Sequence, residues 1–470
     1  MSGPTQPPRR LRLNAFTMNT GSHINHGMWR YPDTRQREFD ELEVWTDLAK
    51  LLEHGRFDAI FLADVVGLYG DYRGGWETYV KEGLQIPSND PSVLISALAG
   101  VTEKIGLAFT SSIIQAPPFE FARRISTLDH LTKGRVGWNI VTNFQENAHR
   151  NFGIDGLIDH DERYRRGEEY VEVAYKLWEG SWEDDALLRD LDGWYSDPAK
   201  IHKINHVGEF YTVEGPHLPS PSPQRTPVLY QAGSSAAGRA FAARHAEGVF
   251  TMIAAREAAR PVIADIRRRA VVAGRQPDDV AILQGLTFVV GSTEEEAWRR
   301  DAEYDEYLSI DGMLAHMSGG MGIDLGFSDH DEPLDDVAQR VPGVRSIVQG
   351  VIDSAPAGTR ATVGDLARVN ARSTRVTGTP EQIADEIERW REVGVDGFNV
   401  MYAVTPGSFA DFIEHVMPVL RDRGLAQREY GPGATLRERL FPDRGPRLAD
   451  RHPARAHRRL WWGETVGAGA

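Results

Sequence analysis

The residues of this 470-residue chain that could do chemistry stand at the ends of short apolar runs. Thr20, His23 and His26 follow the run 11–17, and Asp64 and Tyr69 come at and after the end of 59–64. Ser111 and Ser112 end 105–112, Thr142, Asn143 and Phe144 end 136–143, and Gly233, Ser234 and Ser235 end 227–233. Hydroxyls and amides dominate this set. It lacks the His/Asp/Glu cluster that a metal-assisted hydrolase needs. The DHDE run at 159–162 reads better as a helix start, where acids suit the first turn, than as a metal site. The absence of cysteine excludes a disulfide scaffold, a thiolate zinc site, an iron–sulfur cluster and a cysteine nucleophile together. Chemistry here must use oxygen and nitrogen groups or a borrowed cofactor.

The segment Gly233-Ser234-Ser235-Ala236-Ala237-Gly238 follows a strand-type run and opens a helix-type one. Its backbone N–H groups, two hydroxyls and helix dipole could hold a phosphate. A serine N-cap on a glycine turn is the plainer reading. No GxGxxG or GxxxxGK[ST] follows any expected strand.

Eight apolar runs are expected to be strands: the five above and 248–253, 281–290 and 397–402. Amphipathic helix patterns alternate with them at 39–54, 119–131, 162–178, 236–245, 293–308 and 381–393. Eight alternations predict an α/β fold, a (β/α)8 TIM barrel, whose chemistry sits at the carboxyl ends of the strands. Residues 1–427 then form one barrel domain, with long insertions at about 181–222 and 311–378. Residues 428–470 form a C-terminal arm with six Arg between Arg444 and Arg459, followed by Trp461 and Trp462. The arm is expected to pack on a neighbouring subunit.

The charge balance, 53 Lys+Arg against 68 Asp+Glu for a net −15, argues against nucleic-acid binding. No apolar stretch is long enough to span a membrane, and the start has no signal-type apolar core, so a cytoplasmic protein is expected.

Longer motifs carry a family likeness. NAFTMNTGSHINHGMWRYP, FDAIFLADVVGLYGDYR, LQIPSNDP, RRISTLDHLTKGRVGWNIVTN, HDERY, DPAKIHKINHVGEFY and GPHLPSPSPQRTPVLYQAGSS resemble the bacterial-luciferase-like flavin monooxygenases. The likeness, from about residue 11 to 440, is to the branch of the nitrilotriacetate, dibenzothiophene-sulfone and long-chain alkane monooxygenases, and is greatest to the last.

That resemblance implies a two-component enzyme using FMN as FMNH2, supplied by a separate NAD(P)H-dependent flavin reductase, with O2 as co-substrate activated as a (hydro)peroxyflavin. Carried over residue by residue, Asp64, Thr142, Asn143, Arg163, Tyr164, Ser234 and Ser235 would contact the flavin. Without the resemblance, Arg163 and Tyr164 read as a helix-surface charge and a core aromatic. His23, Tyr69, Gln85 and His316 would line the catalytic pocket, and the insertion holding His316 is a candidate lid. Thr20 and Phe144 stand in the substrate pocket where the alkane enzyme has a cysteine and a histidine. Those departures put an alkane substrate in doubt, and the resemblance implies an apolar or heteroaromatic substrate that is oxygenated, or oxidatively cleaved at a C–N or C–S bond, with riboflavin lyase chemistry an alternative. A non-catalytic flavin-binding protein and a deazaflavin-dependent dehydrogenase are readings from other classes. The family likeness further implies a homodimer or homotetramer.

Overall fold

A computed structural model describes residues 10–458, apart from 327, 341–344, 354, 356–357 and 432–433. All eight expected strands are present: β1 (Arg12–Met18), β2 (Ala59–Ala63), β3 (Gly106–Ser112), β4 (Val136–Val141), β5 (Val228–Gln231), β6 (Gly248–Thr251), β7 (Ala281–Val290) and β8 (Gly397–Met401). Each pairs in parallel with the next, and β8 returns to β1 with Asn14 opposite Asn399, so the sheet closes into a (β/α)8 barrel. Every residue of β1, β3, β7 and β8 is buried. Strands covered by core on one side and helices on the other need this double apolarity.

The amphipathic segments form the outer helices, among them Leu42–His54, Pro118–Leu131, His160–Tyr175 and Ala236–His245. Their starts follow from local chemistry. Asp159 accepts from the Asp161 N–H, so DHDE is a cap and first turn, and Ser235 accepts from the Gly238 N–H.

The barrel interior is aromatic. Phe16, Phe61, Tyr230 and Phe250 pack at ring-centre distances of 4.6–6.3 Å. Beneath them the helix Leu436–Leu440 closes the floor, with Leu436, Leu440 and Phe441 in the same apolar cluster. Arg437, fully buried, donates to both oxygens of Glu247 (2.8 and 2.9 Å) and to the carbonyls of Thr226, Pro227 and Pro446.

Residues 434–458 therefore pack under their own barrel. The arginines of this arm pair with acids remote in sequence: Arg444 and Arg451 with Asp279, Arg447 with Asp184, and Arg458 with Glu179. Trp461 and Trp462 lie outside the described residues.

The two insertions differ in kind. Residues 181–222 form a short hairpin and irregular turns along the outer helices, where His217 meets Ser126 at 2.8 Å. Residues 311–378 contain the helices Ile310–Met321, Leu334–Arg340, Arg345–Asp353 and Val363–Arg372. Leu314, Leu334, Val337 and Leu366 share a second apolar core with Tyr69, Tyr72 and Tyr79 of the loop after β2. A ninth strand, Arg375–Gly378, then pairs with the upper half of β7 and returns the chain to the barrel. Among the described residues no helix is long and apolar enough to cross a membrane, and no group of three His, Asp or Glu could hold a metal ion.

Candidate active site

The carboxyl ends of the strands carry three groups of side chains. The first surrounds a set of imidazoles, of which His23 and His26 are buried and His316 is half-buried. His23, in the turn after β1, is 4 % exposed, lies 4.9 Å from Phe16 between ring centres, and leaves Nδ1 buried without a partner. Gln85 donates from Nε2 to the His23 carbonyl (3.2 Å), and its Oε1 is also buried and unpartnered. Gln85 holds φ at 52°, a left-handed conformation that costs on the order of 1–3 kcal/mol and persists only where the surroundings impose it.

His316 arrives from the insertion on Ile310–Met321, and its Nδ1 meets His26 Nε2 at 2.8 Å. Tyr69 stands 6.1 Å from the His316 ring, 6.2 Å from Phe144 and stacked 5.6 Å from Tyr79. Tyr79 in turn donates to the Ala315 carbonyl at 2.9 Å, tying the loop after β2 to the insertion helix. Burial disfavours the charged imidazolium, pushing His23 down to about 3, with His316 adding to the effect, and His316 down to about 4. Both are neutral at pH 7. Burial holds the Tyr69 phenol up at about 12, so it keeps its proton.

The second group lies at the ends of β2, β3 and β4. Asp64 accepts from Gln115 Nε2 (3.3 Å), and Gln115 Oε1 accepts from the Ser111 hydroxyl (3.0 Å) and the Ser112 N–H. Burial first, and then Asp90, push the Asp64 carboxyl up to about 7. Asn143 sits at φ 60° with its Oδ1 accepting from the N–H groups of Phe144 and Gln145 at 2.6 and 2.8 Å. This closed Asx turn ends β4 and leaves Phe144 48 % exposed at the rim. Thr142 lies beside it with its methyl toward Gly167 of the helix His160–Tyr175.

The third group is made where two helices begin. Arg163, on the first turn of His160–Tyr175, donates from Nη1 to the Asn143 carbonyl, while its Nε is buried without a partner. It makes no ion pair among the described residues, and desolvation lowers its pKa. One residue on, the Tyr164 hydroxyl closes over the glycines of the Gly233–Gly238 turn: a Cβ placed on Gly233 or Gly238 would fall 3.0 or 2.7 Å from it. His160 Nε2 meets the Ser235 hydroxyl at 3.2 Å, so the starts of helices His160–Tyr175 and Ala236–His245 abut. Each presents unpaired backbone N–H groups and the positive end of a dipole.

The expected residues thus fall into three groups, the second and third joined by the hydrogen bond from Arg163 to the Asn143 carbonyl. Thr20 stands apart in one respect: its hydroxyl donates to the Pro87 carbonyl at 2.7 Å and holds the loop that carries Gln85. Sequence reasoning missed Gln115, His160 and the contact made by His26. The HINH spacing placed His26 near the site, but its partner is 290 residues away.

A flavin phosphate can be tested against this geometry. The unpaired Arg163, its orphaned Nε, the Ser234 and Ser235 hydroxyls and a glycine turn too tight for any Cβ are what a buried dianion requires. The residues fit the group. Gly238→Ala puts a methyl 2.7 Å from the Tyr164 oxygen and 2.9 Å from Gly233 Cα. FMN affinity, read by fluorescence quenching, is expected to fall about tenfold, some 1.4 kcal/mol, with the circular dichroism unchanged.

Asp64 gives a pH prediction. Its folded pKa of about 7 lies above the ordinary 3.8, so the stability associated with its proton is full below about 4 and is lost as pH rises to about 7. Asp64→Asn should flatten that part of the curve in denaturant titrations at pH 5, 6, 7 and 8. An identical slope in both proteins would place the Asp64 titration elsewhere.

A family model described as luciferase-like monooxygenase matches residues 18–397. The chain is 45 % identical over 456 residues to the long-chain alkane monooxygenase of Geobacillus thermodenitrificans, covering 96 % of this chain and 99 % of that protein. It is also 45 % identical over 461 residues to the dimethyl-sulfide monooxygenase of Hyphomicrobium sulfonivorans, covering 97 % and 95 %. The crystal structure of the latter superposes with a TM-score of 0.91 over 97 % of each chain. A riboflavin lyase solved with modified FMN and riboflavin superposes at 0.85, with 38 % identity, over 96 % of this chain and 99 % of that one.

Proposed function

As the chain belongs to the luciferase-like monooxygenase family, and is therefore a flavin-type monooxygenase, we propose that it is the oxygenase of a two-component system. It takes FMNH2 from an NAD(P)H-dependent flavin reductase in the cytoplasm and oxygenates, or oxidatively cleaves, an apolar or heteroaromatic molecule. The observation that carries the cofactor is the meeting of two helix starts, His160–Tyr175 and Ala236–His245, beside an arginine with no carboxylate partner among the described residues. One relative is named component A of a nitrilotriacetate monooxygenase, which supports a separate reductase.

Reduced FMN, when bound, supplies the two electrons that send one oxygen atom of O2 to water while the other enters the substrate. The chain supplies the rest. Arg163, Tyr164, Ser234 and Ser235 would hold the phosphate, and Asp64 with Gln115, Thr142 and Asn143 would meet the polar edge of the ring system. His23 and His316, neutral at pH 7, can each donate or accept one hydrogen bond without introducing charge. Tyr69 keeps its proton and offers a hydroxyl. The helices of 311–378, anchored through Tyr79 and His26, would cover this end of the barrel against water. Phe144 and Tyr69, 6.2 Å apart, give the rim two aromatic faces suited to a planar or apolar substrate.

The reading is tested by mixing the complex with reduced FMN against 18O2 in the presence of alkanes, dimethyl sulfide, aryl sulfones, aminopolycarboxylates and riboflavin in turn. One 18O atom is expected in the product of one of these. Tight binding of reduced FMN with no labelled product from any of them would sink the oxygenase reading. Cleavage of the ribityl chain of riboflavin would move the assignment to lyase chemistry.

A further inference from the structure

The histidines of the pocket are linked in a line that nothing in the family reading uses. Ser22 Oγ meets His26 Nδ1 at 2.8 Å, and His26 Nε2 meets His316 Nδ1 at 2.8 Å. Ser22 and His26 are both fully buried. The two imidazoles are edge-on, with ring centres 4.8 Å apart at 78°. Groups around them are uncharged or fully committed. His23, Tyr69 and Tyr79 are neutral, and Asp311, on the same helix as His316, accepts from Tyr72, Arg73 and His330 instead.

A neutral imidazole has one N–H and one lone pair, so each hydrogen bond in such a line fixes the next. The direction is set at Ser22. Among the described residues its hydroxyl has one side-chain partner, His26 Nδ1, and no contact with water. Were Nδ1 the donor, the serine proton would be buried with no acceptor, and an unmet buried donor costs on the order of 1–3 kcal/mol. Ser22 therefore donates to Nδ1, His26 donates from Nε2, and His316 accepts at Nδ1. The proton of neutral His316 is left on Nε2, which has no partner among the described residues.

We propose that His26, oriented by Ser22, is a positioning residue that locks His316 as the Nε2–H tautomer, so that the pocket is offered a hydrogen-bond donor in place of a base. Such a donor suits an oxygen atom that gains negative charge during the reaction. The proposal deepens the oxygenase reading, on which it rests for its purpose, but the tautomer itself is a property of the chain alone. His26 also joins two segments of separate origin, the turn after β1 and the helix Ile310–Met321, so the same bond that selects the tautomer docks the insertion.

The test is 15N NMR of the full-length chain labelled at histidine nitrogens, with the His316 signals identified by their loss in His316→Gln. The expected spectrum has a protonated Nε2 and a bare, pyridine-like Nδ1. His26→Gln, whose carboxamide can still donate, should keep that pattern. His26→Glu, which can only accept when ionised, should move the proton to Nδ1. Ser22→Ala, a mild change that keeps both rings, should give a mixture of the two. FMN affinity should stay within about twofold in all three variants, which separates a tautomer change from a collapsed site. A wild-type His316 protonated at Nδ1, or the same tautomer in His26→Glu as in wild type, would overturn the proposal. Loss of oxygenation with any substrate would overturn the functional reading and leave this measurement intact.

Discussion

Arg437→Met is expected to lower the free energy of unfolding by about 3–5 kcal/mol, because it strands a carboxylate in the floor of the barrel. Glu247 is 2 % exposed and receives both guanidinium hydrogen bonds from Arg437, with a weaker one from the Leu229 N–H at 3.2 Å. Removing the cation also frees the carbonyls of Thr226, Pro227 and Pro446, each bound at 2.7–3.0 Å. The double variant Arg437→Met with Glu247→Met should recover much of the loss, since neither charge is then buried alone. Denaturant titration of the three proteins measures both effects. A loss below 1 kcal/mol in the single variant would show that Glu247 finds another partner or takes up a proton.

His316→Ala is expected to cut turnover by roughly 10²–10³-fold, the range for a lost hydrogen-bond donor to developing negative charge, while FMN affinity changes by less than about twofold. His23→Ala should behave alike. Neither side chain reaches the helix-start cradle in the structure, so a large loss of flavin binding would refute their placement. The acid side of the stability profile provides a second readout. The folded-state pKa values of His23 and His316, about 3 and about 4, lie below the ordinary 6.5. The stability held in these neutral rings is full above about pH 6.5 and is lost as pH falls toward 4 and 3. Each alanine variant should lose stability less steeply over that window than the parent.

Much of the barrel was legible because its strands are nearly unbroken apolar runs, a pattern that needs no tertiary information. The ends of those strands were placed within a residue or two, which sufficed to bring Asp64, Thr142, Asn143, Ser234 and Ser235 to one end of the barrel. The ninth strand, RVTG at Arg375–Gly378, escaped because three partly buried residues and a buried glycine carry no period. The pairing of the arginines from Arg444 onward was not legible because their partners Asp184, Glu179 and Asp279 are more than a hundred residues away, where no local rule connects them. His26 failed in the same way. Its neighbourhood in sequence marked it, but its role comes from Ile310–Met321, on an insertion 290 residues away.

The helix Leu436–Leu440 has a bearing on how the chain is made as well as on how it stands. β1 cannot be sealed until β8 is available, 385 residues later by the Asn14–Asn399 bond, and the floor under both is laid down later still. During synthesis the aromatic interior of Phe16, Phe61 and Phe250 is exposed from below until about residue 441 has emerged, a long interval at a few residues per second. Sequence separations of this size also make closure slow. A nascent chain released short of Leu436 would carry an open apolar floor, and its fate is association with other chains or capture by a chaperone.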